Sequence, residues 1–210
     1  MPGYSPVIIL SEPQLGENIG AAARAMKNFG FSDLRLAAPR DGWPNEKAEA
    51  MAVGAADVVQ AARVYASVRE AVSDLRLVFA ATARDRSMAK PVLTPEEAVR
   101  RLKKAADEGI AAGILFGNER AGLTNDDVAL ADCAVTIPTD PELSSINLGQ
   151  AVLVLCYEWF KAAGPAPMPE RISHGASFPA PREELILLFE HLEDELEKSG
   201  FLFPPVTVRE

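Results

Sequence analysis

The stretch Val7-Ile8-Ile9-Leu10-Ser11-Glu12-Pro13-Gln14-Leu15-Gly16-Glu17-Asn18-Ile19-Gly20 decides how the rest of the chain is read. Its first four residues are aliphatic and mostly β-branched. The run is too short for a helix and lacks polar alternation, so it predicts a strand buried on both faces. Pro13 and Gly16 then mark a loop. From Glu17 to Phe29 the residues Ile19, Ala22, Ala23 and Met26 recur at helical spacing, and Gly30 supplies a stop. The unit is strand, polar loop, helix.

The same unit repeats outward from there. Residues 34–37, 77–81, 113–116 and 134–137 predict further buried strands. Thr94-Pro95-Glu96-Glu97 combines a capping box with proline at the first helical position, and Gly109 closes the helix it opens. Residues 148–163 predict a third, strongly apolar helix. The alternation predicts an α/β domain over residues 1–163, a mostly parallel sheet with helices on both faces. Ligands in such sheets bind beyond the carboxyl ends of the strands. Residues 164–181 hold five of the sixteen prolines and predict a Pro-rich linker. Residues 182–210 follow as a C-terminal helix and tail, with Leu185, Leu188, Phe189, Leu192 and Leu196 on one stripe.

Composition narrows the function. The 210 residues carry a net charge of −9, with 48% hydrophobic and 24% charged residues, the balance of an ordinary globular chain. No apolar run approaches the roughly 18 residues of a membrane helix, and the first residues lack a basic signal-peptide region. A cytoplasmic protein with no membrane contact is expected. Two cysteines inside apolar stretches and two scattered histidines predict neither a disulfide framework nor a metal site. A chain this acidic does not hold nucleic acid by bulk charge. DNA is not an expected partner, and RNA would need a local patch or a partner's help. Residues 164–210, with four basic and nine acidic side chains, are the more acidic part.

Three polar loops stand out. On the first helix Glu17, Arg24 and Asn28 share one edge opposite the apolar stripe. Gly20, Ala21 and Ala25 lie nearby, so the edge is either a solvated face or a place where a backbone or ligand comes close. In Leu115-Phe116-Gly117-Asn118-Glu119-Arg120-Ala121-Gly122-Leu123, two glycines bracket Asn-Glu-Arg straight after a strand, as a tight turn with unusual backbone angles requires. In Leu143-Ser144-Ser145-Ile146-Asn147-Leu148, three polar residues crowd the start of the apolar helix, where capping needs only one. Dinucleotide, Walker A and nucleophile-elbow motifs are absent.

Taken in order, the three loops resemble the SPOUT class of RNA methyltransferases, specifically the TrmH-like 2′-O-methyltransferases. Asn18 to Arg24 matches the first motif, Phe116 to Leu123 the second, and Ile137-Pro138 with Leu143 to Leu148 the third. The wording Glu12-Pro13-Gln14-Leu15-Gly16-Glu17-Asn18-Ile19-Gly20 looks most like the TrmJ branch, which methylates the ribose 2′-hydroxyl of nucleotide 32, a cytidine or uridine, in the tRNA anticodon loop. The resemblance implies S-adenosyl-L-methionine as methyl donor and S-adenosyl-L-homocysteine as product. It also implies a deep trefoil knot over roughly residues 113–163. The cofactor-holding groups it implies are Thr82, Ala83, Arg84, Leu115, Gly117, Ile137, Ser144, Ser145 and Ile146. A homodimer with composite active sites is implied too. Arg24 takes the activating role, supported by Asn18, Glu119, Ser145 and Asn147. A guanidinium is ordinarily never a base, so either burial depresses its pKa or Arg24 binds the adjacent phosphate and the proton leaves by another route. Ribosomal RNA as substrate and a non-catalytic RNA- or cofactor-binding dimer are the alternative readings.

Overall fold

The structure, a computed structural model, describes residues 5–83, 90–164 and 180–202. Two compact units divide the chain, Met1–Pro167 and Met168–Glu210. In the first unit the chain runs through β1 (Val7–Ser11), α1 (Gly16–Asn28), β2 (Leu34–Ala37), α2 (Glu46–Met51), α3 (Ala56–Gln60), β3 (Arg63–Tyr65) and α4 (Val68–Ala71). It continues through β4 (Leu77–Ala81), β5 (Val92–Leu93), α5 (Pro95–Asp107), β6 (Ala112–Phe116), α6 (Asn125–Ala129), β7 (Cys133–Val135) and α7 (Leu148–Lys161). The described part of the second unit is one helix, α8 (Arg182–Lys198), followed by a turn.

Seven parallel strands form one sheet in the order β3-β2-β1-β6-β4-β7-β5. The predicted strands form its interior. Sequence reading misses the two edges for a physical reason: β3 is Arg63-Val64-Tyr65, largely exposed, and β5 is two residues long, so neither carries an apolar run. The predicted strand over 134–137 is shifted, running from Cys133 to Val135. Thr136 then donates its hydroxyl to the Thr82 carbonyl at 3.0 Å, and Ile137 leaves the ladder.

Alternate residues of each central strand serve different helices, as the pleat dictates. Ile8, Leu10, Phe79, Ile114 and Phe116 pack with α1, α5 and α7. Val7, Ile9, Val78, Ala80 and Leu115 pack with α4 and α6. The small residues of α1 permit close helix packing. A Cβ on Gly20 would lie 2.4 Å from the Ala48 carbonyl oxygen of α2, and one on Gly149 of α7 would lie 2.9 Å from the Ala21 Cβ. Neighbouring helices, not a ligand, occupy that approach. Glu17 is paired with Lys47 at 3.3 Å.

One buried cation was not foreseen. Arg35 of β2 is 2% exposed; it donates to the Ala71 carbonyl at 2.7 Å and bonds Asp74 bidentately. This fastens β2 to the segment after α4.

Candidate active site

In a parallel sheet, the point where the strand order reverses leaves a crevice at the carboxyl ends of the strands. Here β1 and β6 are neighbours although the chain leaves β1 for β2. The loops after β1, β4, β6 and β7 therefore converge.

The β6 loop is a rigid turn. The Asn118 side-chain oxygen accepts from the Arg120 and Ala121 amides at 3.2 and 2.7 Å, and the Gly122 amide donates to the Asn118 carbonyl at 2.9 Å. Gly122 has φ +66°, and a Cβ on Gly117 would sit 2.1 Å from the Gly122 carbonyl carbon. Both positions need glycine, in line with the tight turn expected from the sequence.

Glu119 reaches from this turn to the loop after β1. Its carboxylate accepts from the Gln14 amide (2.9 Å), the Leu15 amide (3.1 Å) and the Asn18 side chain (2.9 Å). Asn18 in turn accepts from the Asn147 side-chain amide at 2.9 Å. The Asn147 oxygen accepts from the Gly149 and Gln150 amides and so caps α7. The chain Asn147–Asn18–Glu119 thus joins the three polar loops. Gln14 and Leu15 act through backbone N–H groups, which residue identity does not announce; sequence reading missed them for that reason.

Beside this network lies a cavity of about 250 Å³. Of the residues expected to hold a cofactor, Thr82, Ala83, Gly117, Ile137, Ser144, Ser145 and Ile146 line it. Leu115 does not: its side chain is buried under the opposite sheet face. Arg84 lies outside the described residues. Glu119 and Ser145 also line the cavity, whereas Asn18, Asn147 and Arg24 do not. Arg24 stands exposed on α1, and its side chain has no hydrogen bond or ion pair among the described residues. Nearby, the Asp41 carboxylate raises the pKa of the Arg40 guanidinium through a direct hydrogen bond, and the Glu119 charge adds to the effect.

A model of the SpoU rRNA Methylase family matches residues 5–157. The chain belongs to the SpoU rRNA methylase family. Among relatives of this SpoU methylase is the tRNA (cytidine/uridine/adenosine-2′-O-)-methyltransferase TrmJ of Pseudomonas aeruginosa (strain UCBPP-PA14). It is 39% identical over 194 residues, which cover 89% of this chain and 75% of the relative. The uncharacterized tRNA/rRNA methyltransferase LasT of Escherichia coli (strain K12) is 40% identical over 157 residues, 72% of this chain and 66% of LasT. The crystal structure of TrmJ from Z. mobilis ZM4 superposes with a TM-score of 0.72 at 52% identity, covering 96% of this chain and 83% of that one. These findings bear out the resemblance read from the three motifs. SpoU methylases use S-adenosylmethionine. The cavity fits that group: Ile137, Ile146 and Leu148 give it an apolar wall, and Ser144 and Ser145 give it polar groups.

Proposed function

We propose that this SpoU methylase transfers a methyl group from S-adenosylmethionine to a ribose 2′-hydroxyl of tRNA, on a cytidine or uridine at nucleotide 32 of the anticodon loop. In this reading it acts as a cytoplasmic homodimer with composite sites. The observation that carries the proposal is the placement of Arg24. The network Asn147–Asn18–Glu119 fixes α1 against the cavity, yet Arg24 on that helix lies off the cavity wall, exposed and unpartnered among the described residues. A residue so placed serves a second subunit's cavity. Leu153, Tyr157 and Phe160 of α7 are 41%, 49% and 42% exposed, and the Phe29 ring lies edge-on to Tyr157 and tilted against Phe160, 5.8 Å from each. That apolar face supports a two-fold interface formed by α1 and α7. The division into a methyltransferase domain (1–163), a linker (164–181) and a C-terminal helix with tail (182–210) belongs to the same proposal, as does the trefoil knot.

When bound, the cofactor supplies an electrophilic methyl on a sulfonium. The chain's own residues then have three tasks. The cavity loops hold the donor in place, and alignment of the hydroxyl with it supplies much of the acceleration. Glu119 and Asn18 keep the loops after β1 and β6 in register, while Ser145, exposed on the cavity rim, offers a hydroxyl to the entering ribose. Arg24 of the other subunit positions the ribose hydroxyl or its phosphate and stabilises the charge that develops as the proton leaves.

Incubation of bulk tRNA and bulk rRNA with labelled donor, followed by mapping of the modified nucleotide, tests the assignment. Label at tRNA nucleotide 32 is expected; label in rRNA alone overturns it. Arg24→Ala is expected to keep the fold and product binding while transfer falls by roughly 10²-fold or more. Mixing Arg24→Ala subunits with subunits altered at Ser144 and Ser145 restores activity if the sites are shared. No complementation in confirmed heterodimers refutes the composite site.

A further inference from the structure

The function proposed above does not use Arg120. It stands at the tip of the β6 turn, whose backbone is fixed by the Asn118 side chain and by the Gly117–Gly122 approach. Arg120 is exposed, lines the cavity, and has no side-chain hydrogen bond or ion pair among the described residues. Its neighbour Glu119 forms no ion pair with it among the described residues; that carboxylate is turned instead to the Gln14 and Leu15 amides and the Asn18 side chain. Among the described residues, Glu119 and Arg120 are the only charged groups lining the cavity. A rigidly mounted, uncommitted guanidinium at the rim of a reaction site selects a planar oxyanion.

Two oxyanions could arrive there. The amino-acid end of the methyl donor carries its own ammonium beside its carboxylate, and the sulfonium makes the donor a net cation. An added guanidinium gains little from such a group. The phosphodiester flanking the reacting ribose has no counter-charge of its own and lies only a few bonds from the 2′-hydroxyl. A chain with net charge −9 must meet a polyanion through local cations. We infer that Arg120 is a substrate-binding residue that grips the RNA phosphodiester adjoining the target 2′-hydroxyl, and so sets which nucleotide enters the cavity. The inference rests on the RNA-methylation reading above.

The test uses the full chain and compares Arg120→Gln and Arg120→Lys with the parent. Calorimetry is expected to give S-adenosylhomocysteine affinities within twofold of each other for all three. tRNA methylation by Arg120→Gln is expected to lose roughly 10–100-fold in kcat/KM. The slope of log affinity for tRNA against log salt should flatten by about 0.7–0.9. Arg120→Lys should recover only part of the loss, because it keeps the charge but not the fork. An RNA with a neutral methylphosphonate at the flanking position should cost the parent the same factor and cost Arg120→Gln nothing further. Product affinity lost together with turnover would assign Arg120 to the donor's carboxylate and overturn the inference. So would a methylphosphonate penalty equal in parent and variant, or an unchanged kcat/KM. Failure of the parent to methylate any RNA ribose would instead refute the underlying reading.

Discussion

Glu119 is the residue at which a structural and a proton-transfer role diverge most sharply. Replacing it by glutamine keeps the shape and removes the charge. The amide can place its oxygen where Oε1 accepts from Leu15 and Asn18, but its NH2 then faces the Gln14 amide, donor against donor, across a gap that is 2.9 Å in the parent. One charge-assisted bond is lost outright and two are weakened to neutral ones. At 1.5–3 kcal/mol for a bond to a charged group and about 1 kcal/mol for a neutral one, and with Leu15 45% exposed so that water replaces part of the loss, the cost is about 2 kcal/mol. In a unit of this size that lowers the melting temperature by roughly 4–8 °C. Glu119→Ala removes all three acceptors and should cost more. The coupling between Glu119→Gln and Asn18→Ala in a double-mutant cycle should reach about 0.5 kcal/mol or more, because the two side chains share a bond. Thermal denaturation with bound S-adenosylhomocysteine held constant is the assay. A melting temperature unchanged in Glu119→Gln, together with a collapse of turnover and a lost limb in the pH–rate profile, would show a proton-transferring carboxylate and refute the clamp.

Other outcomes follow from neighbouring features. Gly117→Ala drives a methyl into the Gly122–Leu123 backbone, so the turn must open, and product affinity measured by calorimetry should fall along with stability. Arg35→Ala leaves the Ala71 carbonyl without its side-chain donor and empties a buried site, while the exposed Asp74 carboxylate is left to water, with an expected loss of about 2–4 kcal/mol in urea melts. The hydrogen bond from Arg35 holds the Asp74 carboxyl below its ordinary 3.8. A carboxyl whose folded pKa is lowered contributes stability above its unfolded value and loses it as pH falls through the folded one. The difference between the parent and Asp74→Asn should therefore be full at pH 7 and shrink below about pH 4. For the proposed dimer, Tyr157→Glu with Phe160→Glu should give a monomer mass by light scattering and abolish methyl transfer; a dimer mass in that variant would move the interface elsewhere.

The parts of this fold legible in the sequence are those where burial is two-sided. Strands β1, β4 and β6 are covered on both faces and carry apolar runs, β2 keeps its apolar residues on either side of Arg35, and α1, α5 and α7 are long enough to show a 3.6-residue stripe. The edge strand β3 escapes notice because its residues are largely exposed, and α2, α3, α4 and α6 because helices of four to six residues complete too few turns for a period to emerge. At the site, the sequence points to the three loops as polar punctuation. It is silent on which polar residue meets which, since Glu119 and Asn18 are 101 positions apart and two of the three Glu119 donors are main-chain amides. Arg24 shows the same limit. Its exposed place on the edge of α1 is what the helical wheel predicts, but the wheel describes a solvated face and a shared active site in identical terms.

The network also bears on why the motifs must occur together. Asn147 uses its oxygen to cap α7 and its amide to hold Asn18. Asn18 accepts that bond and donates to Glu119, and Glu119 anchors the loop after β1. Each asparagine serves as donor and acceptor at once, a pairing that aspartate, with no amide to donate, cannot reproduce at neutral pH. Changing either to aspartate would set two acceptors face to face, at the Asn147–Asn18 contact or at the Asn18–Glu119 contact. The β6 turn presents Glu119 to this network and Arg120 to the cavity from adjacent positions. The rigidity that clamps the loop after β1 therefore also fixes the backbone from which the guanidinium extends, and loosening the turn should degrade loop order and RNA selection together.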